Sequence, residues 1–364
     1  MKLSVVILNY NVRYFLELCL LSVQKSISNL DAEIIVVDNN STDDSCDMVK
    51  ANFPKVILIE NKDNSGFSKG NNSGVAIAKG DFVCILNPDT VVPENAFTEL
   101  LKFADNQTNL GMVGCQLIDG TGAFLPESKR NIPTPNVALK KIFGNGNAYY
   151  SSLNPNEIGN VDILVGAFML LKTEVYNEVG GFDEDYFMYG EDIDLSYKIL
   201  KKGYQNYYYG NLSVIHFKGE STLKDKVYAK RFYGAMRLFY KKHFKSNVIM
   251  NALVNVGIKM ASFAPQNNSA SEIETTQTVI VSNAKNNNLE KQLQQPIFYV
   301  ETTETIQHQS TIVLDARFLS FQKIINLMQK QKNISNSIFR IWPEGRNFIL
   351  GSDSANARGE VIKF

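Results

Sequence analysis

The sequence lacks net charge, clustered cysteines and long apolar runs, and each absence removes a class of protein. Lys and Arg number 37 and Asp and Glu also 37 in 364 residues, so no overall field attracts a polyanion and nucleic acid is not expected as a partner. The four cysteines, Cys19, Cys46, Cys84 and Cys115, lie far apart with no CxxC spacing. That argues against a zinc cluster or a disulfide framework and for a reducing compartment. No apolar run reaches the ~18 residues of a spanning helix. Met1 to Asn9 has strand length and lacks the core and cleavage site of a secretory signal. The expectation is a cytoplasmic chain, peripheral at most on the inner face of the plasma membrane. No phosphate loop ending in Gly-Lys-Ser/Thr is present, and Gly66, Gly70 and Gly74 do not have dinucleotide-fingerprint spacing.

What is present begins with alternation. Leu3 to Leu8, Glu33 to Asp38, Val56 to Glu60 and Asp81 to Leu86 read as strands. Arg13 to Ser26, Asp43 to Asn52 and Lys69 to Lys79 read as helices between them. The pattern predicts an α/β fold with a mostly parallel sheet. Such sheets bind ligands beyond the carboxyl ends of their strands, here Asn9, Asp38, Asn61 and Asn87 to Asp89. Residues 1–245 form the expected main domain, in which Gly111 to Tyr209 is less regular and rich in aromatics. Residues 246–264 read as an amphipathic helix, with Ile249, Leu253, Val256, Met260 and Phe263 on one face. It either docks on its own domain or lies on a membrane beside the basic stretch Arg231 to Lys245. The Asn/Gln-rich stretch 265–296 reads as a flexible linker, and 297–364 as a small α/β accessory domain.

Four segments carry chemistry. Asp38 ends a strand and opens Asn39-Asn40-Ser41-Thr42-Asp43, where it either accepts hydrogen bonds from a nucleoside or serves a helix-capping turn. Asn64 to Gly74 mixes glycines with amides, suited to close approach of a ligand or simply to a loop. Asn87-Pro88-Asp89 places a carboxylate where it could hold magnesium or manganese against a diphosphate, unless it is only a turn. Gly180 to Leu195 interleaves six acids with aromatics, as a site for a hydroxylated acceptor would. His216 closes an apolar run, as a structural residue or a ligand.

In order and spacing, Val5 to Asn11, Val37 to Asp43, Asn64 to Gly74, Asn87 to Thr90 and Gly180 to Leu195 resemble the family 2 glycosyltransferases of the GT-A fold, more narrowly their bacterial rhamnosyltransferase-like branch. The resemblance runs from about Leu3 to Lys245. It implies an inverting glycosyltransferase that moves a sugar, rhamnose by branch resemblance, from a nucleotide diphosphate donor to a glycan or lipid-linked hydroxyl in cell-surface polysaccharide assembly. It implies Asp192 as general base, Asp89 as the metal-binding acid with His216 nearby, and Mg2+ or Mn2+ as cofactor. Asn9, Asp38, Asn40, Gly66, Asn71 and Asn87 are the expected donor-binding residues, and Asp183, Asp185 and Glu191 the acceptor-binding ones. Asn87 departs from the acid that many members carry, which would weaken the metal site. The rivals are a non-catalytic sugar-nucleotide or glycan-binding protein and a nucleotidyltransferase, whose glycine-rich first turn is missing after Leu8.

Overall fold

The computed structural model describes residues 1–137, 148–218, 226–244, 274–302, 309–332, 337–355 and 358–364. The first half follows the predicted alternation: β1 (Leu3–Asn9), α1 (Arg13–Ser26), β2 (Ala32–Asp38), α2 (Ser45–Asn52), β3 (Ile57–Glu60), α3 (Gly66–Val75) and β4 (Phe82–Leu86). Then come β5 (Thr90–Val91), α4 (Ala96–Asp105), β6 (Leu110–Ile118), β7 (Ile158–Val161), β8 (Phe168–Lys172), α5 (Thr173–Glu178), α6 (Glu191–Lys201), β9 (Gln205–His216) and α7 (Lys226–His243).

Among the described residues these strands form one sheet in the order β3-β2-β1-β4-β8-β6-β9-β5, with β7 pairing β9. Strands β1 to β4 are mutually parallel where they pair, and β8 runs antiparallel to β4 and β6. Alternation along the strands feeds both faces, the condition for a doubly covered sheet. Leu3, Val5 and Ile7 pack with Leu16, Leu20 and Val23 of α1 and Phe97 of α4, while Val6, Ile35, Val37 and Val83 pack with Val75 of α3 and Leu195 of α6. All four cysteines are free, and burial pushes the Cys19 thiol up to about 12.

A second sheet contains β10 (Gln277–Val281), β11 (Ile297–Val300), β12 (Ser310–Asp315), β13 (Ile338–Trp342), β14 (Phe348–Gly351) and β15 (Glu360–Lys363) in the order β11-β10-β12-β13-β14-β15. Its helices are α8 (Asn287–Gln292) and α9 (Phe321–Lys332).

The linker expectation is corrected here. Within 265–296, β10 lies between β11 and β12, with Val279, Ile280 and Val281 buried. Asn286, part of the polar run that suggested a linker, instead caps α8 by accepting from the backbone N–H groups of Asn288 and Leu289 at 2.9 and 3.0 Å. The second domain therefore begins before Gln277. The amphipathic helix expected at 246–264, and the linker up to 273, lie outside the described residues.

The two domains share a core. Phe15, Leu18, Ile215 and Phe217 of the first cluster with Ile312, Leu314, Ile324, Met328 and Phe348 of the second. Glu94 caps α9 from across the seam, accepting from Phe321 N at 2.7 Å and Gln322 N at 3.0 Å. Arg346 pairs with the buried Glu17 of α1, and Lys25 with Glu344 at 3.0 Å.

Candidate active site

A cavity of about 310 Å3 opens at the carboxyl ends of β1, β2 and β4, where a doubly wound sheet is expected to bind ligand. At β4 the chain delivers Asn87-Pro88-Asp89. Antiparallel pairing of β5 with β9 sets Thr90 opposite His216, and Phe217 N donates to Asp89 O at 3.0 Å. This register brings His216 Nε2 to 3.4 Å from Asp89 Oδ1 and 3.2 Å from Asn87 Nδ2. Asp89 and His216 are both buried, and His216 Nδ1 has no hydrogen-bond partner among the described residues. One carboxylate, one imidazole and one amide converge. That set fits a hard divalent cation whose other ligands would be phosphate oxygens and water. Among the described residues no group of three or more His, Cys, Asp or Glu forms a complete metal cage.

The opposite wall is the start of α6. Gly190 adopts φ +79° as its N-cap, a conformation glycine reaches without strain, and turns Glu191 and Asp192 into the cavity. Asp192 Oδ2 accepts from Arg130 Nη2 at 2.6 Å and from Gly166 N at 3.3 Å, and Oδ1 accepts from Ile193 N at 2.8 Å. Arg130 Nη2 also donates to Leu164 O at 2.8 Å. Burial would lower the Arg130 guanidinium pKa, but the neighbouring Asp192 more than reverses this and holds it charged. Glu191 is buried, its Oε2 without a hydrogen-bond partner among the described residues, and burial, followed by the adjacent Asp192, pushes its pKa well above the usual carboxylate range. Lys218 pairs with Glu127 on the same cavity. Burial opposes ionisation of Glu127, and Lys218 outweighs it to keep the carboxyl below its ordinary value.

Residues 4–180 match the family model described as Glycosyl transferase family 2. The N-terminal domain belongs to glycosyltransferase family 2. Its fold is a mixed α/β sheet, parallel from β3 to β4, flanked by helices. The N-acetylglucosaminyl-diphospho-decaprenol L-rhamnosyltransferase of Mycobacterium tuberculosis is 28% identical over 211 residues, covering 53% of this chain and 68% of that protein. Rhamnosyltransferase WbbL of Escherichia coli is 24% identical over 192 residues, covering 50% of this chain and 73% of that protein. Among solved structures, the chain is similar to the mannosyltransferase PcManGT from Pyrobaculum calidifontis in complex with GDP-Man and Mn2+, at 17% identity and a TM-score of 0.48, covering 72% of this chain and 70% of that one. The family match ends at residue 180, before the acidic cluster that carries Asp192.

The cavity gathers Asn87, Asp89, Gly66, Glu191, Asp192 and His216 among the residues expected from sequence. Others sit behind it. Asp38 is buried, accepting from Asn9 Nδ2 at 2.7 Å, Ser41 Oγ at 2.6 Å and Ser41 N at 2.8 Å; these contacts close the turn to Ser41. Asn9 Nδ2 is therefore engaged by Asp38 and Ser41, and Asn40, at φ +61°, does not line the cavity. Its neighbour Asn39 does. Asn71 is buried and donates to Phe67 O within α3. At Gly66, φ +83°, a Cβ would lie 2.5 Å from Phe187 O, so this glycine also lets the loop seat against the acidic cluster.

Asp183 and Asp185, expected to bind the acceptor, lie outside the cavity lining. Both carboxylates pair with Lys242 of α7 and neither lines the cavity, because the aromatic loop turns them toward that helix. Lys242 is thereby also removed from the free basic stretch. Sequence reasoning missed Arg130, Glu127 and Lys218. Arg130 sits in an aperiodic segment 62 residues from its partner, and nothing local marks it. Lys218, two residues beyond His216, was the nearest to a readable signal.

Proposed function

We propose that the protein is an inverting glycosyltransferase that moves a sugar from a nucleotide diphosphate donor to a hydroxyl of a lipid-linked glycan in cell-envelope polysaccharide assembly, with rhamnose as the first donor sugar to try. The observation that supports the reading is that Asp89, His216 and Asp192 line one cavity at the carboxyl edge of the sheet. The names of the mycobacterial and Escherichia coli relatives supply the rhamnosyl and lipid-diphosphate parts.

The nucleoside would lie toward Asn39, Asn64 and Gly66, and the diphosphate toward Asp89. Asp89 and His216 would hold Mg2+ or Mn2+, which when bound offsets negative charge on the leaving diphosphate. Asp192 would take the proton of the acceptor hydroxyl as its oxygen forms the bond to the anomeric carbon and the bond from that carbon to the diphosphate oxygen breaks. One displacement inverts the centre. Arg130 and Gly166 N fix the Asp192 carboxylate through Oδ2, while Oδ1, which accepts only from Ile193 N, keeps a further acceptor position, the preorganisation that makes a base effective.

Contact with the inner membrane surface through the segment after α7 fits a lipid-linked acceptor. No helix among the described residues is long and apolar enough to cross a membrane. Anionic vesicles should retain the protein at low salt and release it as salt rises; failure to co-sediment at low salt removes this element. The donor reading is tested by titrating dTDP, UDP and GDP with Mn2+ into the protein. One nucleotide should bind more tightly with metal than without, and absence of binding by all three contradicts it.

A further inference from the structure

The second domain reaches the cavity. Ala355, in the connection from β14 to β15, lines it beside residues of the glycosyltransferase domain. The approach is built into a turn of the first domain, Asp119-Gly120-Thr121-Gly122, which follows β6. A Cβ on Gly120 would lie 2.5 Å from the Ser352 carbonyl oxygen, and a Cβ on Gly122, φ +82°, would strike the carbonyl of Met328. Asp119 holds the turn in shape, its Oδ1 accepting from Thr121 N at 2.9 Å and Ala123 N at 3.0 Å. Two glycines of one domain are thus fitted to two backbone carbonyls of the other, where any side chain would force them apart. Gln329 of α9 donates to Gln116 at 3.0 Å and Ser213 at 3.1 Å along the same seam. With the shared core and the Glu94 cap, these contacts fix where Ala355 stands.

Sheet order says which end of the cavity the loop borders. The nucleoside candidates sit at the ends of β1, β2 and β3, whereas Ser352 rests on the turn after β6, beyond β4 and β8. The loop therefore borders the part of the cavity farther from the nucleoside.

We infer that the C-terminal domain is a permanent wall of the acceptor half of the active site, and that Ala355 limits by its size which hydroxylated acceptor enters. The inference rests on the glycosyltransferase reading. It makes the second domain a specificity element, because Ala355 stands three residues after Ser352, which is seated against Gly120, and a side chain there tunes the opening.

The test is a size series at one position, Ala355→Ser, Ala355→Leu and Ala355→Trp, with a lipid-diphosphate-linked N-acetylglucosamine as acceptor probe and dTDP, UDP and GDP with Mn2+ as donor-site probes. Ala355→Ser should stay near wild type, and kcat/KM for the acceptor should fall about tenfold or more in Ala355→Trp with Ala355→Leu between. Nucleotide Kd should remain within about twofold throughout. Wild-type acceptor kinetics in both Ala355→Leu and Ala355→Trp would overturn the inference. So would nucleotide affinity that falls with side-chain size, since the loop would then border the donor. If the wild-type protein binds none of the three nucleotides, the glycosyltransferase reading fails first and this inference with it.

Discussion

Arg130 Nη2 lies 2.6 Å from Asp192 Oδ2, in a pair that is buried on both sides. The contact turns a carboxylate at the start of α6 into an oriented group on a cavity wall. Asp192→Asn keeps size and most hydrogen bonding but cannot take a proton, so turnover should fall by roughly two to four orders of magnitude while nucleotide binding survives. Arg130→Met should release the carboxylate and lower turnover by about a hundredfold, the cost of a misplaced catalytic group. Wild-type turnover in Asp192→Asn with loss in Glu191→Gln would move the base by one residue.

Glu191 predicts a pH effect on stability. Its folded-state pKa is raised, so the folded protein holds the proton more tightly than the unfolded chain does. The associated stability is full below the ordinary glutamate value and is lost as pH rises through the folded pKa. Glu191→Gln removes the charge whose burial costs stability, so the variant should gain about 1 kcal/mol or more over wild type at pH 8. The gain should vanish below about pH 4. Denaturant unfolding at the two pH values measures it, and an equal or lower stability of Glu191→Gln at pH 8 would be the contrary result.

Metal use is the third expectation. Asp89→Ala should remove most turnover, and His216→Ala a smaller part. Circular dichroism should stay native, because neither side chain belongs to an apolar cluster. Full activity in excess EDTA would contradict the role given to this pair.

The domain seam predicts cooperative unfolding. Glu17 is fully buried and meets Arg346 from the second domain and Arg13, at 3.3 Å, from its own helix. Arg346→Ala should cost about 2 kcal/mol or more, since it strips a partner from a buried charge. A single thermal transition should cover both domains, and protease should spare Gln277 to Gln292. Two separate transitions would show that the shared core does not couple them.

What was legible in the sequence follows from the range of the signals. Strand and helix periodicity act within ten or so residues, and β1 to β4 with α1 to α3 stand where that pattern put them. Asn87, Asp89 and Asp192 could be found because strand ends and a glycine-led helix start mark them locally. Asn39 could not be told from Asn40, because the choice depends on a positive φ at Asn40. The partner of Asp192, the Lys242 bridge to Asp183 and Asp185, and the central place of β10 depend on tertiary pairing. Asn286 shows the cost of reading composition alone, since the residue that looked like linker is a helix cap.

The central claim is sugar transfer from a nucleotide diphosphate donor. The direct measurement is incubation of the protein with dTDP-, UDP- and GDP-sugars, Mn2+ and a lipid-diphosphate-linked N-acetylglucosamine, following nucleotide diphosphate release and the anomeric configuration of the product by NMR. The account predicts nucleotide release with one donor, a glycosidic product of inverted configuration, and loss of both in Asp192→Asn. A product that retains the donor's configuration would contradict the single-displacement mechanism, and no release from any of these donors would contradict the transfer itself.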